Sequence, residues 1–320
     1  MITMKNSFIL LILLLLSIGL FTRCQKPKLL PVGSGYLDVD GGKIWYNVVG
    51  TGDKTPMLVL HGGPGMPSYY LKPLAKLGDE RQIIFYDQLG CGHSDRITDP
   101  SLMTIDHYKK ELDLLIHHLG LKKYYLYGHS WGTMLGTDYY LDHPQGIQAL
   151  ILSSPALSMK RWMADADILI ASLPDPVQQA IRENEKYKTY DDAAYQSAVQ
   201  LYYEGFVARN LPRSVDLDSC FAQMGDNVYM YMAGPSEFSI TGELKNYDRT
   251  DRLKEIHVPT LFIAGEFDEA RPATVQYYQS LVPGAQFEMI KGAGKLTTQD
   301  NPEQSIKVVR DFLEGLEKKE

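Results

Sequence analysis

The sequence predicts an α/β protein with a mostly parallel, doubly wound sheet and a helical cap inserted between two of its strands. Six short apolar runs recur along the chain, separated by segments with helical spacing. Continuous apolar runs are typical of strands that are covered on both faces. The strand rhythm stops between about residues 155 and 251, where the patterns are helical. This interruption indicates an insertion rather than a second independent domain.

The predicted elements follow from these runs and from their breakers. Residues 105–119 carry apolar side chains at helical spacing, and residues 133–142 form a further helix that Pro144 stops. The six predicted strands cover residues 57–63, 82–88, 123–129, 149–155, 260–266 and 287–292. We therefore place the core at 34–155 and 251–318 and the cap at 156–250.

Residues 1–24 resemble an export signal. Lys5 precedes an apolar run over residues 8–21, which is shorter than the roughly 20 residues of a membrane span and fits a signal-peptide core. Cys24 lies where a bacterial lipoprotein would be cleaved and acylated, although Arg23 departs from the small residue usual there. We expect export to the bacterial envelope, as a periplasmic protein or lipoprotein. An uncleaved anchor or plain secretion is the alternative, and membrane contact would occur only through this segment.

The composition excludes several classes of partner. The formal net charge is −7 and no basic stripe is present, which argues against nucleic-acid binding. The chain has three cysteines, too few for a disulfide framework. Cys91 and Cys220 could pair in an oxidising compartment, but we expect separate thiols. Neither lies in a metal-ligand spacing, so we expect no metal and no cofactor.

The strongest chemical motif is Gly128-His129-Ser130-Trp131-Gly132, between an apolar strand and a helix. This context is typical of a nucleophile elbow, in which a sharp turn lifts a serine hydroxyl toward the positive end of the helix. We predict that Ser130 is the nucleophile. Dehalogenases and most epoxide hydrolases use aspartate at this position, so a serine argues against both.

A glycine-rich loop, residues 61–65, follows an earlier strand. Such a loop exposes backbone N–H groups, and together with the residue after the nucleophile it can stabilise an oxyanion. We predict the N–H groups of Gly63 and Trp131 as the donors. His61 is expected to be a structural hydrogen-bonding residue beneath the loop rather than a base.

Four motifs in order resemble the proline iminopeptidases, serine exopeptidases of the α/β-hydrolase fold. They are HGGPG (61–65), DQLGCGHSD (87–95), GHSWG (128–132) and GEFDE (265–269), and the similarity runs from about residue 35 to 316. The resemblance implies small peptides with a free N-terminus as partners, and Asp268 as the triad acid. It also implies carboxylates that anchor the substrate amino group, for which Glu237 and Glu269 are the candidates.

The chain departs from this family at position 295. The family places its catalytic histidine in the loop after the last strand, where this chain reads Gly294-Lys295-Leu296, and the last histidine, His257, precedes a strand. A lysine has an ordinary pKa of about 10.4 and is therefore charged at neutral pH. We expect Lys295 to form an ion pair with Asp268 and not to act as a base.

Three interpretations of Lys295 are open: an inactivated or strongly impaired peptidase, a pseudoenzyme that binds peptides without cleaving them, or a Ser–Lys site. A carboxylesterase or lactonase is the main alternative activity, because acyl transfer uses the same elbow. Trp131, Phe238 and the tyrosines of the cap could form an apolar pocket for a pyrrolidine ring.

Overall fold

The computed structural model describes residues 29–318, which form an eight-stranded sheet. The strand order is β1-β2-β4-β3-β5-β6-β7-β8, and the strands from β4 to β8 run parallel. This confirms the predicted fold class. The strands are β1 (Gly33–Val39), β2 (Gly42–Val49), β3 (Lys54–Leu60), β4 (Arg81–Asp87), β5 (Tyr124–His129), β6 (Ile147–Ser153), β7 (Thr260–Gly265) and β8 (Gln286–Ile290).

The first two strands were not among the predicted six. β1 pairs with β2, and β2 pairs with β4, both antiparallel. Both strands lie at one edge of the sheet and leave many side chains partly or fully exposed. Their sequences therefore lack the continuous apolar run that reveals β3 to β7.

Ten α-helices surround the sheet in the described part of the chain. Five of them, α3 to α7, lie between β6 and β7, so the predicted helical insertion is present. The helices are α1 (Ile105–Leu119), α2 (Trp131–Asp142), α3 (Met159–Ile170), α4 (Asp175–Tyr187), α5 (Ala193–Phe206), α6 (Val215–Ala222), α7 (Asp226–Met232), α8 (Pro272–Leu281), α9 (Thr297–Asp300) and α10 (Pro302–Glu317). A long 3₁₀ segment, Ser68–Asp79, joins β3 to β4.

Local signals set the ends of α1 where the sequence predicted them. The Thr104 side chain accepts a hydrogen bond from the His107 N–H at the start, and Gly120 ends the helix with a φ of 64°. A side-chain cap and a left-handed glycine are the usual boundaries of a helix. By contrast, α2 begins at Trp131, two residues before the predicted start.

The parallel strands bring the candidate residues to one edge of the sheet. The loops after the carboxyl ends of β3, β5, β7 and β8 carry Gly63, Ser130, Asp268 and Lys295 respectively. Carboxyl ends of parallel strands are where such sheets bind ligands. The predicted signal segment 1–24, including Cys24, lies outside the described residues and stays a prediction. Over residues 29–318, no helix combines the length and apolar character needed to cross a membrane.

Candidate active site

Ser130 lies in a strained turn between β5 and α2. Its backbone has φ 52° and ψ −119°, a region that costs a non-glycine residue about 1–3 kcal/mol. The flanking glycines permit the turn because a Cβ on Gly128 would lie 2.5 Å from the Gly132 carbonyl oxygen, and one on Gly132 would lie 2.3 Å from the Leu60 carbonyl oxygen. The local geometry is therefore that of a nucleophile elbow, as the motif predicted.

Gly63 and Trp131 both border cavities that contain Ser130. Trp131 is the first residue of α2, and N–H groups at this position have no acceptor within their own helix. The neighbouring Gly62 N–H is used elsewhere, since it donates to the Tyr70 hydroxyl at 2.8 Å. Gly63 and Trp131 thus lie at the cavities that adjoin Ser130, and their role as oxyanion donors stays a prediction.

His61 is a structural residue, as the sequence predicted. Its Nε2 accepts the Gln88 N–H at 2.9 Å, and its Nδ1 lies 2.9 Å from the Gly62 carbonyl oxygen. Burial lowers the pKa of His61, so the ring is neutral and both nitrogens are engaged beneath the loop.

A buried chain of hydrogen bonds joins three of the four loops of the site, and no sequence pattern indicated it. The Gly62 N–H donates to the Tyr70 hydroxyl, and that hydroxyl lies 2.7 Å from His129 Nδ1. His129 Nε2 lies 3.0 Å from the Lys295 carbonyl oxygen. Burial lowers the pKa of His129 to about 3, so the ring is neutral, with Nε2–H donating and Nδ1 accepting.

Three neutral donors hydrogen-bond to the Asp268 carboxylate. Its carboxylate accepts the N–H groups of Gly265 and Ala270 at 3.0 and 2.8 Å, and the Ser154 hydroxyl at 2.6 Å. The same hydroxyl lies 2.9 Å from the Lys295 carbonyl oxygen, so Ser154 links the Asp268 loop to the Lys295 loop. Burial raises the pKa of Asp268 to about 6, against the opposing effect of its hydrogen bonds.

The predicted ion pair between Lys295 and Asp268 is wrong. The Lys295 Nζ lies 2.8 Å from Glu237 and 2.6 Å from Glu269, and 4.8 Å from the centroid of the Trp162 indole ring. These carboxylates attract the ammonium because Asp268 already accepts three hydrogen bonds, whereas buried Glu269 has no partner besides Lys295. Thus Lys295 contacts the two residues that were predicted to anchor a substrate amino group.

These contacts keep Lys295 charged. Burial lowers its pKa, but Glu237 and Glu269 outweigh this effect and raise the pKa above its ordinary value. Burial, and then the charge of Glu237, raise the pKa of Glu269 well above its usual range, although the ammonium opposes both. A protonated lysine has no lone pair with which to accept the Ser130 proton, so a Ser–Lys site is not supported.

Two cavities meet at Ser130. The larger, about 330 Å³, is mostly apolar and is bordered by Met66, Phe221 and Tyr229 as well as by Glu237 and Lys295. The smaller, about 20 Å³, is bordered by Trp131, Met159 and Trp162.

Phe238 borders neither cavity, because it packs against Tyr195 and Tyr202. The expected apolar pocket thus includes Trp131 but not Phe238.

Other reactive groups in the described chain are not arranged for catalysis. Cys91 and Cys220 are separate buried thiols, as expected. His257 precedes β7 and its N–H donates to the Tyr140 hydroxyl, at the opposite end of that strand from Asp268. Among residues 29–318, His, Cys, Asp and Glu form no group that could hold a metal ion.

Comparisons with known proteins identify relatives over most of the chain. A family model described as the alpha/beta hydrolase fold matches residues 55–302. The proline iminopeptidase of Heyndrickxia coagulans is 38% identical over 285 residues, which cover 88% of this chain and 99% of the relative. That of Lactobacillus crispatus (strain ST1) is 34% identical over 288 residues, covering 88% and 97%.

Solved structures give the same result. The crystal structure of a proline iminopeptidase from Mycobacterium smegmatis superposes with a TM-score of 0.83 at 32% identity, covering 89% of this chain and 98% of that one. The crystal structure of VinJ superposes with a TM-score of 0.86 at 33% identity, covering 90% and 100%.

Proposed function

Because this chain belongs to the proline iminopeptidase family of α/β hydrolases, we propose that it is a serine aminopeptidase scaffold with severely impaired turnover. With a histidine at position 295, the scaffold would release proline or a similar residue from the free amino terminus of a small peptide. The impairment comes from Lys295, which replaces the imidazole at the position where the family has its base.

One observation carries this proposal: the Lys295 ammonium is held by two carboxylates, at 2.8 and 2.6 Å. Acyl transfer needs a base that removes the Ser130 proton and then protonates the leaving amine. A permanently charged lysine does neither. His61 and His129 offer no replacement, because their ring nitrogens contact partners other than the Ser130 hydroxyl.

The surroundings of Ser130 and Asp268 support the proposal. The Ser130 hydroxyl lies at the start of α2, beside the loop that carries Gly63. Asp268 is held by three donors, one of which, Ser154, also contacts the backbone of Lys295. An imidazole at position 295 would therefore enter a loop whose backbone is already fixed near both Ser130 and Asp268.

We expect Lys295→His to raise kcat/KM for a proline p-nitroanilide by at least about a thousand-fold. Loss of the imidazole from a serine-protease triad costs on the order of a million-fold in turnover, and incomplete repacking around the new ring will recover only part of it. The measurement is steady-state release of p-nitroaniline by the parent and the variant.

Lys295→Gln is the matched control. It removes the ammonium without supplying a base, so its kcat is expected to stay at the level of the parent. Adding Ser130→Ala to Lys295→His should abolish the gained activity. The proposal fails if the parent already turns over as fast as the histidine variant and loses that activity on mutation of Ser130.

A further inference from the structure

Three side chains surround the Lys295 ammonium, and we call Glu237, Glu269 and Trp162 the ammonium cage. Glu237 belongs to the cap, Glu269 follows the predicted triad acid, and Trp162 lies on α3. The side chains of Lys295 and Glu269 are 5% and 1% exposed, so the contact is desolvated. Two carboxylates and an aromatic face are the groups that bind a primary or secondary ammonium in proteins.

The cage differs from an ordinary buried ion pair because the protein provides few hydrogen-bond donors to the Glu269 carboxylate. Apart from the Lys295 Nζ, which lies 2.6 Å from one oxygen, the Glu269 carboxylate has no hydrogen-bond partner in the described chain. Buried carboxylates usually accept several hydrogen bonds. A buried carboxylate whose one partner is an ammonium indicates a position shaped for cationic N–H groups.

Lys295 approaches the cage from a loop whose backbone is fixed. Its N–H donates to the Phe206 carbonyl oxygen at 2.9 Å, and its own carbonyl oxygen accepts from His129 and lies 2.9 Å from the Ser154 hydroxyl. Only the four-carbon stem crosses from this loop to the cage. Glu237 and Lys295 also border the 330 Å³ cavity next to Ser130, so both residues adjoin the space that a ligand would fill.

We infer that Lys295 is an internal occupant of the ammonium cage, which closes the site of the intact chain to ligands with a charged amino terminus. A second cation would meet the Lys295 charge at short range in a desolvated site, and it would find both carboxylates in use. The intact chain therefore prefers uncharged ligands in the neighbouring cavity. Without the lysine side chain, the cage becomes a binding site for a small primary or secondary ammonium. This inference rests on the proposed function in taking Glu237 and Glu269 as amino-group anchors.

Equilibrium binding tests this inference without turnover. In a Ser130→Ala background, binding of L-prolinamide and of its uncharged N-acetyl derivative is measured by calorimetry. We expect Lys295→Ala to bind prolinamide at least about a hundred-fold more tightly than the Lys295 chain does, and to reverse the preference for the acetylated compound. Adding Glu237→Gln and Glu269→Gln should remove the gain. Equal prolinamide affinities with and without Lys295 would overturn the inference.

Two further measurements cover the case in which Lys295→Ala does not fold. Lys295→Met keeps most of the side-chain volume without the charge, so it should relax the exclusion of prolinamide even though it leaves less room. In the intact chain, ¹⁵N spectra of the lysine ammonium groups should contain one signal in slow hydrogen exchange that Lys295→Met removes. An Nζ of Lys295 that exchanges as fast as the exposed lysines contradicts an internal occupant.

The two proposals fail in different ways. If Lys295→His gains no activity while Lys295→Ala binds prolinamide, the proposed peptidase function fails and the cage stands. If Lys295→His is active while prolinamide binds equally well with and without Lys295, the cage inference fails and the peptidase function stands.

Discussion

At the scale of single residues, Lys295 changes two properties of the site that a histidine would set differently. Its ammonium offers Ser130 no lone pair, and it adds a positive charge beside Glu237 and Glu269. We propose that the first property slows the chemical step and that the second determines which ligands bind. Lys295→Gln and Lys295→His separate them, since both vacate the cage and only one supplies a base.

Tyr70 links the loop that carries Gly62 to His129 at the nucleophile turn. Its hydroxyl accepts from the Gly62 N–H and contacts His129 Nδ1, and the side chain is fully buried. Tyr70→Phe leaves both partners unsatisfied, and each buried unpaired group costs about 1–3 kcal/mol. We expect a loss of about 2–4 kcal/mol in the free energy of unfolding, measured by urea denaturation.

Tyr36→Phe is the control for this experiment, because it removes the same atom from a side chain that is 56% exposed. Its effect should be within about 0.5 kcal/mol. If Tyr70→Phe proves equally harmless, the hydrogen-bonded chain from Gly62 through Tyr70 to His129 does not contribute to stability.

At the scale of elements, the sequence best predicted the strands and helices that have a continuous apolar or helical pattern. The six apolar runs became β3 to β8, and the capped pattern of α1 matched at both ends. The edge strands β1 and β2 were missed because their half-exposed faces leave no unbroken apolar run.

The sequence did not predict which side chains contact each other in the site. Asp268 and Glu269 are neighbours along the chain, yet one contacts Ser154 and the other contacts Lys295. Only the direction of each side chain in the folded loop decides which carboxylate receives the ammonium. For the same reason the sequence did not predict the contacts of Tyr70, Ser154 and Trp162, since none of them belongs to a motif with a known partner.

The last helix, α10, is fixed to β4 by a buried charge. Arg81 is fully buried, and its guanidinium donates to Glu317 at 2.5 Å and to Glu80 at 3.1 Å. Removing one partner of a buried pair costs about 3–5 kcal/mol, because the other charge is left uncompensated. Since Glu80 still contacts Arg81, we expect Glu317→Ala to lower the free energy of unfolding by about 2–4 kcal/mol in urea.

Glu314→Ala is the matched control, one turn earlier on the same helix. Its carboxylate pairs with the exposed Lys318 at 3.2 Å, and exposed pairs of this kind contribute about 0.3–0.5 kcal/mol. Equal effects of the two substitutions would show that α10 is held by its apolar face alone.

At the scale of the whole molecule, buried acids determine how stability responds to pH. Burial raises the pKa of Glu111 to about 8 and that of Asp268 to about 6, whereas unfolded carboxyls titrate near 4. Between these values the folded chain holds protons that the unfolded chain has released. Stability must therefore fall as the pH rises through this window.

The buried histidines act in a lower range. Burial lowers the pKa of His61 and of His129, so they destabilise the fold only where the unfolded rings are protonated, below about pH 6.5. About one pH unit above that value their contribution becomes constant. From there to about pH 8 the acids dominate: Glu111 has a pKa of about 8, and the pKa of Glu269 also lies well above its usual range.

Glu111 lies on α1, where its Oε2 accepts the Leu89 N–H at 3.0 Å and its Oε1 has no partner. The parent should lose stability at up to about 1.4 kcal/mol per pH unit from this group, or roughly 1–2 kcal/mol from pH 6.5 to 8. Glu111→Gln removes the titration, so its urea midpoint should fall less over that range. Glu183→Gln, at an exposed position, should keep the slope of the parent. A Glu111→Gln variant with the full parental slope would show that Glu111 is already ionised in the folded protein.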